Sequence, residues 1–130
     1  MKPAAIAASG IAIVVSMIAM PCFASGNAKA GEALYSRCLA CHALAYDRTG
    51  PRHCGLVGRR AGSVEGFDYS EAMKHSSIVW SPATLDRFLA NPLQVVPGTT
   101  MGYAGINDAR ERADLIAYLV EAGRSAACAH

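Results

Sequence analysis

The chain has 130 residues, 52% of them apolar, with twelve basic side chains against ten acidic ones. That length suits one small domain and excludes a multidomain machine. The near-balanced charge, with no run of Lys or Arg, excludes a phosphate-backbone binder, so no nucleic-acid partner is expected.

Residues 1–24 read as a secretory signal peptide. Lys2 gives a positive start, and Ala4 to Met20 is dominated by Ala, Ile, Val and Met with no charge. Cys22-Phe23-Ala24 puts small residues three and one positions before a cut after Ala24. The rival is a retained membrane anchor, for which this run is at the short end. Lipid attachment at Cys22 is disfavoured by Pro21. The expectation is a periplasmic domain over 25–130, free of stable membrane insertion once the signal is removed. Loss of Lys2 leaves eleven basic and ten acidic side chains.

The mature chain opens with a helical pattern over 26–41, where Ala30, Leu34, Tyr35 and Cys38 recur on one face. It runs into Cys38-Leu39-Ala40-Cys41-His42, the Cys-x-x-Cys-His signature of covalent haem attachment. Two thiols three positions apart on a helical turn reach the two vinyl groups of one haem edge, and the next His falls under the iron. A thioredoxin-like pair would want a βαβ context, which is missing here. A zinc site would need a second ligand pair, and His53-Cys54 fits that spacing poorly.

Residues 43–68 are rich in glycine and lack periodicity. So long an irregular stretch counts against a compact domain unless it wraps a cofactor. Tyr69–His75 suits a short helix. Ser81-Pro82 is an N-cap followed by a first-turn proline, opening a helix that runs to Asn91 and stops before Pro92. Val96-Pro97-Gly98 reads as extended or a turn. Asp108-Ala-Arg-Glu111 resembles a capping box and opens a last helix to about Ala122, with Gly123 as its C-cap. No segment alternates with period two, so the fold class is all-α.

The cysteine count then closes. Cys22 leaves with the signal, Cys38 and Cys41 go to haem, and Cys54 and Cys128 remain as an even pair in an oxidising compartment. A disulfide between them is expected, the rival being two separate thiols. For a second iron ligand the mature chain offers two methionines, Met73 and Met101. Met101 lies in the turn-rich Pro97-Gly98-Thr99-Thr100-Met101-Gly102, where helix packing explains a thioether poorly. A loop methionine filling a core gap is the plainer alternative. Met73 lies in a helical segment, where packing explains it.

Together, Cys38-x-x-Cys41-His42, Gly50-Pro51, Gly55 to Arg59, Gly66 to Ser70, Trp80, Leu85 to Pro92, Pro97 to Met101 and Arg112 to Leu119 resemble class I cytochrome c over nearly the whole mature chain. The resemblance implies three main helices plus a short helix and loops wrapped around one covalent haem c. It implies His42 and Met101 as axial ligands, with the Pro51 carbonyl fixing the His42 tautomer. Arg59, Tyr69 and Trp80 would face the buried propionate, Tyr103 would pack beside the exposed haem edge, and Gly31 would let the last helix cross closely near Leu115.

Departures from the family pattern also stand out. His53 replaces an apolar residue and is expected to be structural or solvated rather than a ligand. Phe88 replaces a tyrosine often near the distal methionine. Met73 replaces a polar residue and offers a substitute ligand. The ring of docking lysines is thin, with Leu93, Gln94, Thr100, Asn107 and Asp108 at its positions and Arg37 surviving.

The function so implied is single-electron transfer between redox protein partners by a monomeric, non-enzymatic carrier. The donor would be a reductase or dehydrogenase, the acceptor an oxidase or reaction centre. One alternative is a gas or peroxide binder with a labile Met101. No distal His beside Met101 and no Ser/His/Asp set supports it. The other is a dedicated electron-transfer subunit of a membrane or dehydrogenase complex.

Overall fold

The computed structural model describes residues 25–129 together with Met1. The signal-peptide reading therefore lies, apart from Met1, outside the described residues. Three longer helices, α1 (Ala28–Tyr35), α3 (Pro82–Ala90) and α5 (Ala109–Ala122), are joined by loops and the one-turn helices α2 (Glu71–Lys74) and α4 (Pro92–Val95). The described residues contain no β-strand, only an isolated bridge between Arg60 and Val79. Among them no helix is long and apolar enough to cross a membrane.

Side-chain caps fix where the long helices begin. Asn27 Oδ1 accepts the Ala30 amide at 3.2 Å. Ser81 and Thr84 form a reciprocal box, with the Ser81 amide donating to Thr84 Oγ1 at 2.7 Å. Asp108 Oδ1 accepts the amides of Arg110 and Glu111. The expected full box at Asp108 is only half made, because the Glu111 carboxylate turns to Arg37, 2.9 Å away. Gly123 ends α5 at φ −62, an ordinary helical angle, so its glycine freedom goes unused.

Two boundaries differ from the sequence pattern. The helix expected over 26–41 keeps α geometry only to Tyr35 and tightens into a 3₁₀ turn over Ser36–Cys38. Ser36 Oγ donates to the Ala33 carbonyl at 2.7 Å, a local bond that competes with helix continuation. The motif still closes one helical turn, since the His42 amide donates to the Cys38 carbonyl at 2.8 Å. The stop expected before Pro92 is instead a restart. Asn91 Oδ1 accepts the Gln94 amide at 3.1 Å, and Pro92 takes the first helical position, where its missing N–H costs nothing.

α1 and α5 cross at backbone contact. A Cβ at Gly31 would run into the Asp114 carbonyl, one residue from Leu115, which is 1% exposed. The Asn27 amide donates to Asp114 Oδ1 at 2.7 Å across the same junction. α3 joins α5 through Arg112, whose Nε donates to Asp86 at 2.7 Å and whose Nη1 donates to the Ile106 carbonyl. Apolar side chains of the three helices converge on one side of this frame, and the long irregular segment closes over them.

That segment is ordered by its own hydrogen bonds. The Gly50 amide donates to the Cys41 carbonyl at 2.7 Å, the Cys54 amide to Leu44 at 2.7 Å, and the Ala61 amide to Ile78 at 2.8 Å. Asp47 receives both the amide and the guanidinium of Arg52. Irregular backbone survives in a compact domain only when its polar groups are partnered in this way.

Candidate haem site

Helices and loop enclose a cavity of about 460 Å³. Leu85, Phe88 and Leu89 of α3, Leu115 and Leu119 of α5, and Trp80 supply its apolar wall. A few polar groups converge on it, among them His42, Arg59, Tyr69 and Thr99. Size and lining match a cofactor site, for which roughly 300–1,000 Å³ is usual.

His42 is buried at 8% exposure. Its Nδ1–H donates to the Pro51 carbonyl at 2.7 Å, so the neutral ring keeps a lone pair on Nε2. Burial lowers the His42 pKa, and the Pro51 carbonyl partly opposes that. Gly50 lies against the ring, where a Cβ would strike Cε1. Cys38 and Cys41 are free thiols on the same cavity, half-buried and exposed respectively. Burial raises the Cys38 pKa, so this thiol is held in its protonated form.

Met101 enters the cavity from the loop after α4, its amide donating to the Thr99 hydroxyl at 3.3 Å. Thr99 is buried, and its own amide donates to the Val96 carbonyl at 3.0 Å. Met73 and Phe88 line the same space.

Arg59 provides the most direct test of the cofactor. Its Nη1 donates to the Cys54 carbonyl and its Nη2 to the Arg52 carbonyl, both at 2.9 Å. Its Nε is buried without a hydrogen-bond partner. A buried, unsatisfied guanidinium N–H is costly and calls for an acceptor, best an anion. Tyr69 lies beside it, its hydroxyl accepting the Val64 amide at 3.4 Å. An apolar cavity with two thiols, an imidazole with a free Nε2 and an orphaned cationic N–H fits a haem bearing acidic side chains.

All nine residues expected to contact haem line this one cavity: Cys38, Cys41, His42, Pro51, Arg59, Tyr69, Trp80, Met101 and Tyr103. Cys54 and Cys128 are joined by a disulfide, with Cα atoms 5.3 Å apart. That bond occupies Cys54 and removes the zinc alternative that needed it.

Arg37, the surviving basic position of the docking ring, stands in an exposed ion pair in which both its terminal nitrogens engage Glu111. His53 takes the structural role of the two expected for it: its ring stacks on His42 with centroids 4.3 Å apart at 23°. Sequence reasoning missed the partner of His53, Tyr35. The one signal was a polar residue at a position the family pattern fills with an apolar one.

The chain is 43% identical over 122 residues to cytochrome c2 of Rhodomicrobium vannielii, covering 92% of this chain and 95% of that protein. It is 44% identical over 105 residues to cytochrome c type-1 of Ascaris suum, covering 78% and 94%. Among solved structures, cytochrome cH from Methylobacterium extorquens superposes with a TM-score of 0.72 at 41% identity, covering 74% of this chain and 99% of that one. No family model matches the chain.

Proposed function

The chain belongs to the class I cytochrome c family of mono-haem electron carriers, and we propose from that premise that it shuttles single electrons between protein partners in the periplasm. In this reading residues 1–24 are the export signal and 25–130 the functional domain. Cys38 and Cys41 hold the haem by thioethers, and His42 and Met101 fill both axial positions. The observation that carries the ligand assignment is the His42 Nδ1–Pro51 bond, which leaves Nε2 as the ring's only coordinating atom. When bound, the haem supplies a one-electron ferric–ferrous couple whose potential a Met/His ligand pair raises.

The protein's own groups do the rest. The Pro51 carbonyl fixes the tautomer of His42 and raises its basicity. The leucine walls of α3 and α5 exclude water. Arg59 offers its spare N–H to a propionate, with Tyr69 and Trp80 flanking the same region. Partners would meet the face carrying Arg37, Leu93, Thr100 and Tyr103. Leu93 is 51% exposed there, and Arg37 is already neutralised by Glu111. Docking would therefore rest on a small, transient and largely apolar contact rather than on a cationic ring. The carrier works as a monomer.

The test is the spectrum of holoprotein in both oxidation states, with CO added to the reduced form. A low-spin spectrum unchanged by CO supports closed His42/Met101 ligation. Ready CO binding would favour the gas- or peroxide-binding alternative.

A further inference from the structure

Tyr35 and His53 form a hydrogen-bonded polar pair in the cavity wall. Tyr35, at the end of α1, is 4% exposed, and its hydroxyl lies 3.0 Å from His53 Nδ1. The ring of Tyr118 packs behind it at 5.2 Å. An apolar pair of similar shape would fill this wall without desolvating a hydroxyl and an imidazole for a single hydrogen bond. Packing alone therefore leaves the pair unexplained.

The pair is aimed at His42. The His53 backbone is fixed by its amide, which donates to the Ala43 and Leu44 carbonyls at 3.0 and 3.1 Å. The next residue is held to the C-terminal tail by the Cys54–Cys128 disulfide. The hydrogen bond between the Tyr35 hydroxyl and His53 Nδ1 sets the rotation of the ring. The result is a near-parallel stack on His42, whose opposite constraints are the Pro51 carbonyl and Gly50.

We propose that His53 is a positioning residue for His42, whose ring face, oriented by Tyr35, favours the oxidised state of the centre and so lowers its midpoint potential. The inference rests on the reading of His42 as an axial ligand. Its physical basis is the negative π-face of a neutral aromatic ring, which attracts positive charge. On loss of an electron His42 shares part of the added positive charge, and His53 faces it directly.

Two double variants of the holoprotein separate this from simple packing. Tyr35→Phe/His53→Leu and Tyr35→Phe/His53→Phe both delete the hydrogen bond without leaving a buried hydroxyl unpaired. They differ in the face presented to His42. The readouts are the midpoint potential and the hyperfine-shifted proton signals of the His42 ring. The leucine variant should show a raised potential and displaced His42 signals, while the phenylalanine variant stays close to wild type. Equal potentials in all three proteins, or equal shifts in both variants, would overturn the proposal. If the bulkier phenylalanine variant assembles no holoprotein, the leucine variant decides alone: an unchanged potential overturns it and a raised one supports it. Absence of hyperfine-shifted His42 signals in the wild type would sink the ligand assignment itself, before any variant is compared.

Discussion

His42 and Met101 face one cavity, yet the chain holds them by different means. His42 is gripped on all sides: Pro51 at Nδ1, Gly50 at the ring edge, His53 on one face, and a helical turn closed back to Cys38. The loop that delivers these contacts is itself tied to the C-terminal tail by a disulfide. Met101 has one 3.3 Å bond from its amide to Thr99. The next backbone hydrogen bond along the chain is Ile106 to Leu89 at 2.8 Å. His42 is over-determined by its surroundings, while Met101 depends on a single turn. Under the proposed ligation, an iron held between them would open on the Met101 side.

The largest expected effect breaks the weaker side outright. Met101→Ala should turn a reduced holoprotein indifferent to CO into one that binds it stoichiometrically, read in the visible spectrum. A closed iron in that variant would point to Met73, the other thioether on the cavity wall. Next comes the proximal tether. Cys54→Ala/Cys128→Ala releases a loop with a sequence separation of 74 and should cost about 3–5 kcal/mol in denaturant unfolding. CO exclusion should survive in that variant, because the tether serves the other ligand.

Gly50→Ala is milder. The new Cβ meets the His42 ring, and overpacking of this kind costs about 1–3 kcal/mol, measurable as a lower thermal midpoint of the holoprotein. The smallest effect lies outside both regions and serves as a control. The Glu111 and Arg110 amides hold the Asp108 carboxyl below its usual pKa. A depressed folded-state pKa stabilises above the unfolded value and loses that contribution as pH falls through the folded one. Asp108→Asn, which still caps the helix, should be slightly less stable than wild type at neutral pH. The difference should vanish on acidification through the carboxylate range, with no change in CO exclusion.

Much of this was legible in the sequence because local chemistry decides it. Ser81-Pro82 and Asp108 can satisfy free amides only as helix caps, and Cys38-Leu-Ala-Cys41-His42 has few other uses. The helix at Pro92 was not legible, because proline reads as a stop until Asn91 is seen to cap it. The capping role of Glu111 was lost to Arg37, 74 positions away in sequence, a competition no local pattern reveals. The stack of His53 on His42 needs the loop's path through Ala43 and Leu44 to bring the two rings together. Tyr35 read as one more apolar position on a helix face, and its hydroxyl acquires a purpose only once His53 is placed beside it.

The Cys54–Cys128 bond also sets a sorting problem for biogenesis. Four thiols would enter an oxidising compartment, and two of them must still be reduced when haem is attached. In the proposed export from the N-terminus, Cys38, Cys41 and Cys54 would arrive together, while Cys128, the partner of Cys54, would arrive last. The mispairings open to the early three all consume a haem-bearing cysteine. Thioether formation at Cys38 and Cys41 would remove those mispairings and leave Cys54 and Cys128 to join only to each other.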